Sequence, residues 1–250
     1  MCGRYTLSSR AEDIARAFEA ELAPAEATDA ARAFALPRYN VAPAQPAPVV
    51  RATGDGRRLV AAHRFGLVPA WADDPRVGAR MINARAETAA EKPAFRAALR
   101  QRRCIVPMTG FYEWPRARRG GRARAPTWFH PPERGGAGAA LWAAAGLWEE
   151  WRGPDGGALA TFAILTTSAN EVVARVHDRM PVLLDGAGVQ RWLDRRIDDA
   201  RALAPLLAPW PADDTAERRV SPRVNDARAE GPELLLEDAP RPSAQGSLFD

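Results

Sequence analysis

The chain reads as an α+β protein built on a curled, largely antiparallel β-sheet that approaches a barrel, with a few flanking helices. Three observations predict this. Short β-type runs recur between Gly and Pro positions, helical periodicity is confined to four stretches, and the two do not alternate as a doubly wound parallel sheet requires. A length of 250 residues with 46% apolar and 26% charged positions suits one globular domain with a substantial core.

The elements follow in order. Ser8 and Ser9 precede residues 10–20, where Ile14 and Phe18 stand four apart, which predicts a capped amphipathic helix. Residues 23–48 are expected to be mostly loop, because Pro37, Pro43, Pro46 and Pro48 deny regular pairing. Strands are expected at residues 59–65, 104–108, 111–114, 127–130, 141–148, 161–167 and 181–184. Residues 93–102 read as a helix with Pro93 at its start and Phe95 and Leu99 four apart, and two more helices are expected at 188–195 and 199–207. Pro115 should end the strand before it, and residues 116–124, rich in Arg and Gly, look like an exposed basic loop. The folded domain is expected to cover residues 1–236, and the Pro- and Ser-rich residues 237–250 to form a disordered tail.

Composition narrows the function classes. The first twenty residues carry six charged side chains among them Arg4, Asp13 and Glu19, which leaves no apolar region of a secretory signal, and no stretch is long enough to span a bilayer. A cytoplasmic location is expected. Cys2 and Cys104 are too few for a disulfide framework. They show no metal-ligand spacing with His63 or His130, so no metal and no cofactor is expected. A net charge of +4 and a pI of about 9.6 fit a polyanionic partner without proving one. Lys92 is the sole lysine among 35 Lys and Arg residues. An imine formed with a carbonyl compound must therefore use Lys92 or the amino terminus.

That terminus is chemically distinctive. Cysteine at position 2 is small enough to permit removal of Met1, and an amino-terminal Cys2 would carry an α-amine of pKa about 7.7–8.0 beside a thiol of about 8.5. The amine can attack an aldehyde, and the thiol can close on the resulting imine to give a durable five-membered thiazolidine. The plainer reading of Cys2 is a small buried apolar residue. Four other segments bear on the choice. Asn83 and Arg85 alternate onto one face of an extended chain, where Asn83 can fix the Cys2 amine and Arg85 a phosphate. Glu113 lies between aromatics in Gly110-Phe111-Tyr112-Glu113-Trp114, where burial would make it a general acid; as a salt-bridged strand residue it would not be one. His177 can shuttle a proton, and Trp71, on a turn, suits stacking against a base or filling the core.

Taken together, Met1-Cys2-Gly3-Arg4-Tyr5, Tyr39-Asn40-Val41-Ala42-Pro43, Gly66-Leu67-Val68-Pro69-Ala70-Trp71, Asn83-Ala84-Arg85-Ala86-Glu87, Gly110 to Trp114, His177-Asp178-Arg179-Met180-Pro181 and the later Val220 to Asn225 resemble the SOS-response-associated peptidase (SRAP) family, in the family's order. The resemblance implies a protein that crosslinks to abasic sites in single-stranded DNA. It implies Cys2 as nucleophile, with Asn83, Glu113 and His177 completing the site, and Arg4, Asn40, Trp71, Arg85 and Arg179 contacting DNA or supporting the site. Phe65 departs from it, since the family usually has tryptophan there, and this puts base stacking at that position in doubt. Abasic-site lyase chemistry, a thiol peptidase pairing Cys2 with His177, and a non-covalent single-strand-binding module are the competing readings. In the tail, Gln245, Leu248 and Phe249 resemble the short peptide with which bacterial repair proteins dock on the sliding clamp.

Overall fold

The computed structural model describes residues 2–23, 32–115, 125–133, 140–154 and 156–237. The strands are β1 (Arg4–Leu7), β2 (Glu21–Leu22), β3 (Arg38–Val41), β4 (Pro46–Ala52), β5 (Arg58–Phe65), β6 (Asn83–Arg85), β7 (Arg103–Met108), β8 (Gly110–Glu113), β9 (Thr127–His130), β10 (Trp142–Arg152), β11 (Ala158–Ser168), β12 (Arg179–Pro181), β13 (Leu183–Leu184) and β14 (Ala216–Arg219). Five of them close on themselves. The order β11-β10-β7-β4-β5 is antiparallel throughout, and a parallel pairing of Phe162 with Phe65 joins β11 back to β5. A second, antiparallel sheet runs in the order β14-β9-β8-β1-β3. The expected α+β class and barrel-like sheet are what the chain adopts.

Alternation explains the closure. Phe65 and Phe162 point into the barrel and stack with centroids 5.0 Å apart, and Tyr5 of the second sheet meets Phe65 edge-on at 5.9 Å. Phe111 and Phe129, stacked at 5.2 Å, join the same core from the second sheet, with Trp142 of β10 beside Phe111. All four phenylalanines are essentially fully buried, each contributing about 1.5–3 kcal/mol of apolar transfer. Gly110 is required where the sheets meet. A Cβ there would lie 2.2 Å from Nε1 of Trp128, the atom that donates to Thr6 Oγ1 at 3.1 Å.

Several expectations are corrected. Within residues 23–48, expected to be mostly loop, β3 and the start of β4 are strand, and Pro46 and Pro48 pair with Arg64 and Ala62 of β5. Strand β7 reaches β4 only at Val50 and Arg51, so the missing proline N–H groups face a side with no ladder to complete. The first helix spans Ala11–Ala17 with Arg10 as an N-cap that makes no side-chain bond. Ser8 is drawn away to Thr109, hydroxyl to hydroxyl at 3.3 Å. Phe65 is core, which removes it from base stacking. The other expected helices fall near their places, at Arg96–Gln101, Gly186–Leu193 and Ala200–Leu203, the last continuing into a 3-10 turn at Ala204–Leu207, and a short helix at Glu171–Ala174 is not among those expected. Leu234 is buried and Glu237 bridges Val220, so the fold extends at least to Glu237. The basic loop 116–124 and the peptide with Gln245, Leu248 and Phe249 lie outside the described residues.

Candidate active site

The end of β11 gathers three segments that are remote in sequence. On one side the parallel strand β6 sets Asn83 beside Ile164 and Arg85 beside Thr166. On the other, antiparallel β12 sets Pro181 beside Thr166 and Arg179 beside Ser168. Facing them is the rim of the second sheet, where Arg4 of β1 pairs with Tyr112 of β8. Continuing that register brings Cys2 and Glu113 to adjoining positions.

Cys2 is fully buried, and burial, reinforced by the charge of Glu113, pushes its thiol well above the ordinary range. The thiol is therefore neutral near pH 7. The amide of Asn83 donates to the Cys2 carbonyl at 3.1 Å, while Asn83 Oδ1 is buried with no hydrogen-bond partner among the described residues. An unpaired acceptor next to the amino terminus costs about 1–3 kcal/mol and is stabilised only when a donor arrives. Glu113 is 2% exposed, and burial raises its carboxyl to about 7 against the opposing pull of the amino-terminal charge, with Asp178 adding a smaller like-charge push. A carboxyl so poised is an acid for half the molecules at neutral pH.

His177 stands on the turn before β12, largely buried. Its Nδ1 accepts the N–H of Arg179 at 3.0 Å and lies 3.2 Å from Oδ1 of Asp178. One nitrogen cannot serve both at once. The neutral ring accepts from Arg179 and keeps its proton on Nε2, whereas the imidazolium donates to Asp178, so each protonation state has a partner waiting.

The expected DNA contacts divide into three kinds. Trp71 is 63% exposed, and Arg85 is exposed with no ion pair among the described residues; both are free to meet a ligand. Arg179 is committed. It grips Glu87 through two bonds of 2.6 and 2.8 Å and the carbonyl of Thr166 at 2.5 Å, and the pairing holds the Glu87 carboxyl below its usual range. As placed, Arg179 ties β6 and β12 to β11. Asn40 takes the supporting role: it is fully buried, its Oδ1 accepts from Arg4 at 2.9 Å, and its amide donates to the carbonyls of Val224, Asp226 and Ala229. As placed, it supports Arg4. Arg4 itself also donates to the Val224 carbonyl at 2.9 Å.

Two residues escaped the sequence reading. Glu87 was visible only as part of a motif, and nothing local marks it as the partner of Arg179. Asn225 accepts from Nε1 of Trp114 at 2.6 Å, which fixes the ring that follows Glu113. Among the described residues no group of His, Cys, Asp and Glu could hold a metal ion, and no helix is long and apolar enough to cross a membrane.

Comparisons with known proteins agree with this fold. The chain is similar to the Abasic site processing protein YoqW of Bacillus subtilis (strain 168), 40% identical over 235 residues that cover 94% of this chain and 99% of the relative. It is 30% identical over 230 residues to the Abasic site processing protein HMCES of Mus musculus, covering 80% of this chain and 64% of that longer protein. A crystal structure of a Bacteroides thetaiotaomicron protein shares the fold, with a TM-score of 0.78 over 94% of this chain and 99% of the other at 23% identity. A Bordetella bronchiseptica protein matches with a TM-score of 0.69 at 25% identity, over 88% of this chain and all of the other. The sequence model of one family matches residues 1–227, a span that includes Cys2, Asn83, Glu113 and His177 together. This chain belongs to the SOS response associated peptidase (SRAP) family.

Proposed function

We propose that this protein processes abasic sites in single-stranded DNA by bonding covalently to the lesion through Cys2 once Met1 is removed, shielding the lesion during the DNA-damage response. The immediate surroundings of residue 2 carry the reading: a buried carboxyl of pKa about 7 and an unpaired buried amide oxygen adjoin it. The names of the relatives support the substrate class.

The abasic sugar is mostly a closed hemiacetal, and the first step opens it to the aldehyde, with His177 and Glu113 moving the hydroxyl proton to the ring oxygen. Asn83 Oδ1 accepts an N–H of the Cys2 amine and aims its lone pair at the aldehyde carbon. The C–N bond forms, and the carbonyl π pair becomes an alkoxide that takes the proton of Glu113. Transfer of an amine proton back to Glu113 regenerates the acid. That acid protonates the carbinolamine hydroxyl, water leaves, the iminium returns its N–H proton to the Glu113 carboxylate, and a neutral imine remains. The Cys2 thiol adds across the C=N bond, its sulfur to carbon and its proton to nitrogen, closing the thiazolidine. One water is released and no oxidant is needed.

The thiol peptidase reading loses ground on the same observations, because a thiolate nucleophile needs a lowered pKa and burial beside Glu113 does the opposite. Lyase chemistry would divert the imine to β-elimination before the thiol closes. The tail residues Gln245, Leu248 and Phe249 are proposed to dock on the sliding clamp; deleting residues 243–250 should abolish clamp binding and spare crosslinking.

Mass spectrometry under denaturing conditions tests the main reading. Mixing the protein with an oligonucleotide bearing one abasic site should give protein lacking Met1 with the oligonucleotide mass, less one water, on Cys2. The Cys2→Ala variant should bind the same DNA and form no thiazolidine. A stable adduct in that variant, or none in the wild type, would sink the proposal.

A further inference from the structure

The row of the second sheet that contains Glu113 continues beyond the site. Glu113 of β8 pairs with Thr127 of β9, and Thr127 pairs in turn with Arg219 of β14. Directly opposed residues present their side chains to the same face. Glu113, Thr127 and Arg219 therefore line up on one face, and two strand spacings put the Arg219 backbone about 10 Å from that of Glu113. Arg219 stands on the edge strand, exposed, with no ion pair or hydrogen bond from its side chain among the described residues. Its neighbour Arg218 is occupied by Glu133 and the Trp128 ring.

A cleft of about 690 Å³ opens along this row. Its walls include Thr127, Arg219 and Arg175, together with Pro115, one residue past Trp114, and Val176, one residue before His177. It thus begins where the active site ends. Two carboxylates share the cleft: Glu217, whose charge is met by Arg175 at 3.0 Å, and Glu237. With Arg175 and Glu217 paired, Arg219 is the cation left to meet an incoming anion there.

We propose that this cleft receives the DNA strand as it leaves the active site, and that Arg219 binds a backbone phosphate flanking the lesion. Arg219 is a positioning residue, remote from the reacting atoms. The charge-bearing edge of β14 would otherwise serve only to discourage edge pairing. This inference rests on single-stranded abasic DNA being the substrate, and its test separates the two. Full-length wild type, Arg219→Ala and Arg219→Lys are titrated with an oligonucleotide carrying one abasic site, from 50 to 200 mM salt, and crosslinking is followed at saturating DNA.

Arg219→Ala should bind about three- to tenfold more weakly near 0.1 M salt and flatten the log–log salt dependence by about 0.7, as expected for one lost phosphate contact on a single strand. Arg219→Lys should restore most of the affinity. The crosslinking rate at saturation should not change, and neither should the melting temperature, because the side chain is exposed. Placing the lesion at either end of the oligonucleotide should erase the defect on one side only. Wild-type affinity and salt slope in Arg219→Ala, or failure of lysine to rescue, would overturn the proposal. If the wild type binds but forms no crosslink, the covalent reading fails while the titrations still decide the role of Arg219.

Discussion

Replacing Glu113 by glutamine keeps the shape of the side chain and removes its proton. At pH 7 a carboxyl of pKa about 7 is protonated in about half the molecules, whereas at the ordinary value of 4.5 it would be protonated in about one in 300. Burial thus enriches the acid about 150-fold. A positioned general acid is worth about 10²–10⁴ in rate, so Glu113→Gln should slow crosslinking at pH 7 by about 100-fold or more while leaving equilibrium binding within about twofold. Quenched time courses resolved on denaturing gels measure the rate. The pH profile sharpens the test. Wild type should rise as the Cys2 amine loses its proton, fall as Glu113 loses its own, and peak between about 7 and 8. The variant should lose the alkaline fall and rise monotonically. Stability should move the other way. The folded carboxyl titrates near 7 and the unfolded one near 4.5, so its contribution is complete below 4.5 and is lost as pH rises through 7. Above that pH Glu113→Gln should be more stable by up to about 3 kcal/mol in urea titrations. A rate within threefold of wild type, or a retained alkaline limb near pH 7, would refute the acid role.

Three further expectations concern other parts of the molecule. Among the described residues neither ring nitrogen of buried His63 makes a hydrogen bond of good geometry, and burial, with the charge of Arg51, depresses its pKa from 6.5 to about 3. Its contribution to stability is present above pH 6.5 and lost as pH falls through 3, by about 5 kcal/mol in all. His63→Met should gain about 1–2 kcal/mol at pH 7 and flatten the acid limb, read by thermal melts from pH 4 to 7. Gly110→Ala drives a methyl into Trp128 and the Phe129 carbonyl, and should cost 3 kcal/mol or more on an order-of-magnitude basis, seen as a lowered urea midpoint. Trp71→Ala should weaken single-strand binding by about 1–3 kcal/mol in fluorescence titrations with no loss of stability, since the ring is mostly exposed.

The parts of this fold written in local pattern were legible. Strands β7 to β11 announce themselves by β-branched and aromatic runs, and the motif around Glu113 carries its own aromatic burial. What could not be read is what depends on partners. The prolines at 46 and 48 look like strand breakers until the one-sided pairing of β4 is known, and β1, β6 and β14 are too short for periodicity to mark. For the same reason the sequence leaves open whether Asn40 and Arg179 meet DNA or support the site: Asn40 is satisfied by carbonyls 184 to 189 residues away, and Arg179 by a glutamate 92 residues away. Polar residues in a motif tell which atoms matter, and distant backbone decides whether they face solvent.

The grip of residues 224–229 on Arg4 and Asn40 also orders events in time. At about 5–20 residues per second, synthesis from Cys2 to Ala229 takes about 10–45 s, and throughout that interval β1 lacks the carbonyls that anchor it. The amino terminus is thus the first part of the chain made and among the last fastened. That delay leaves a period in which Met1 can be removed before Cys2 is enclosed, and it keeps the enclosure of Cys2 from forming on an incomplete chain.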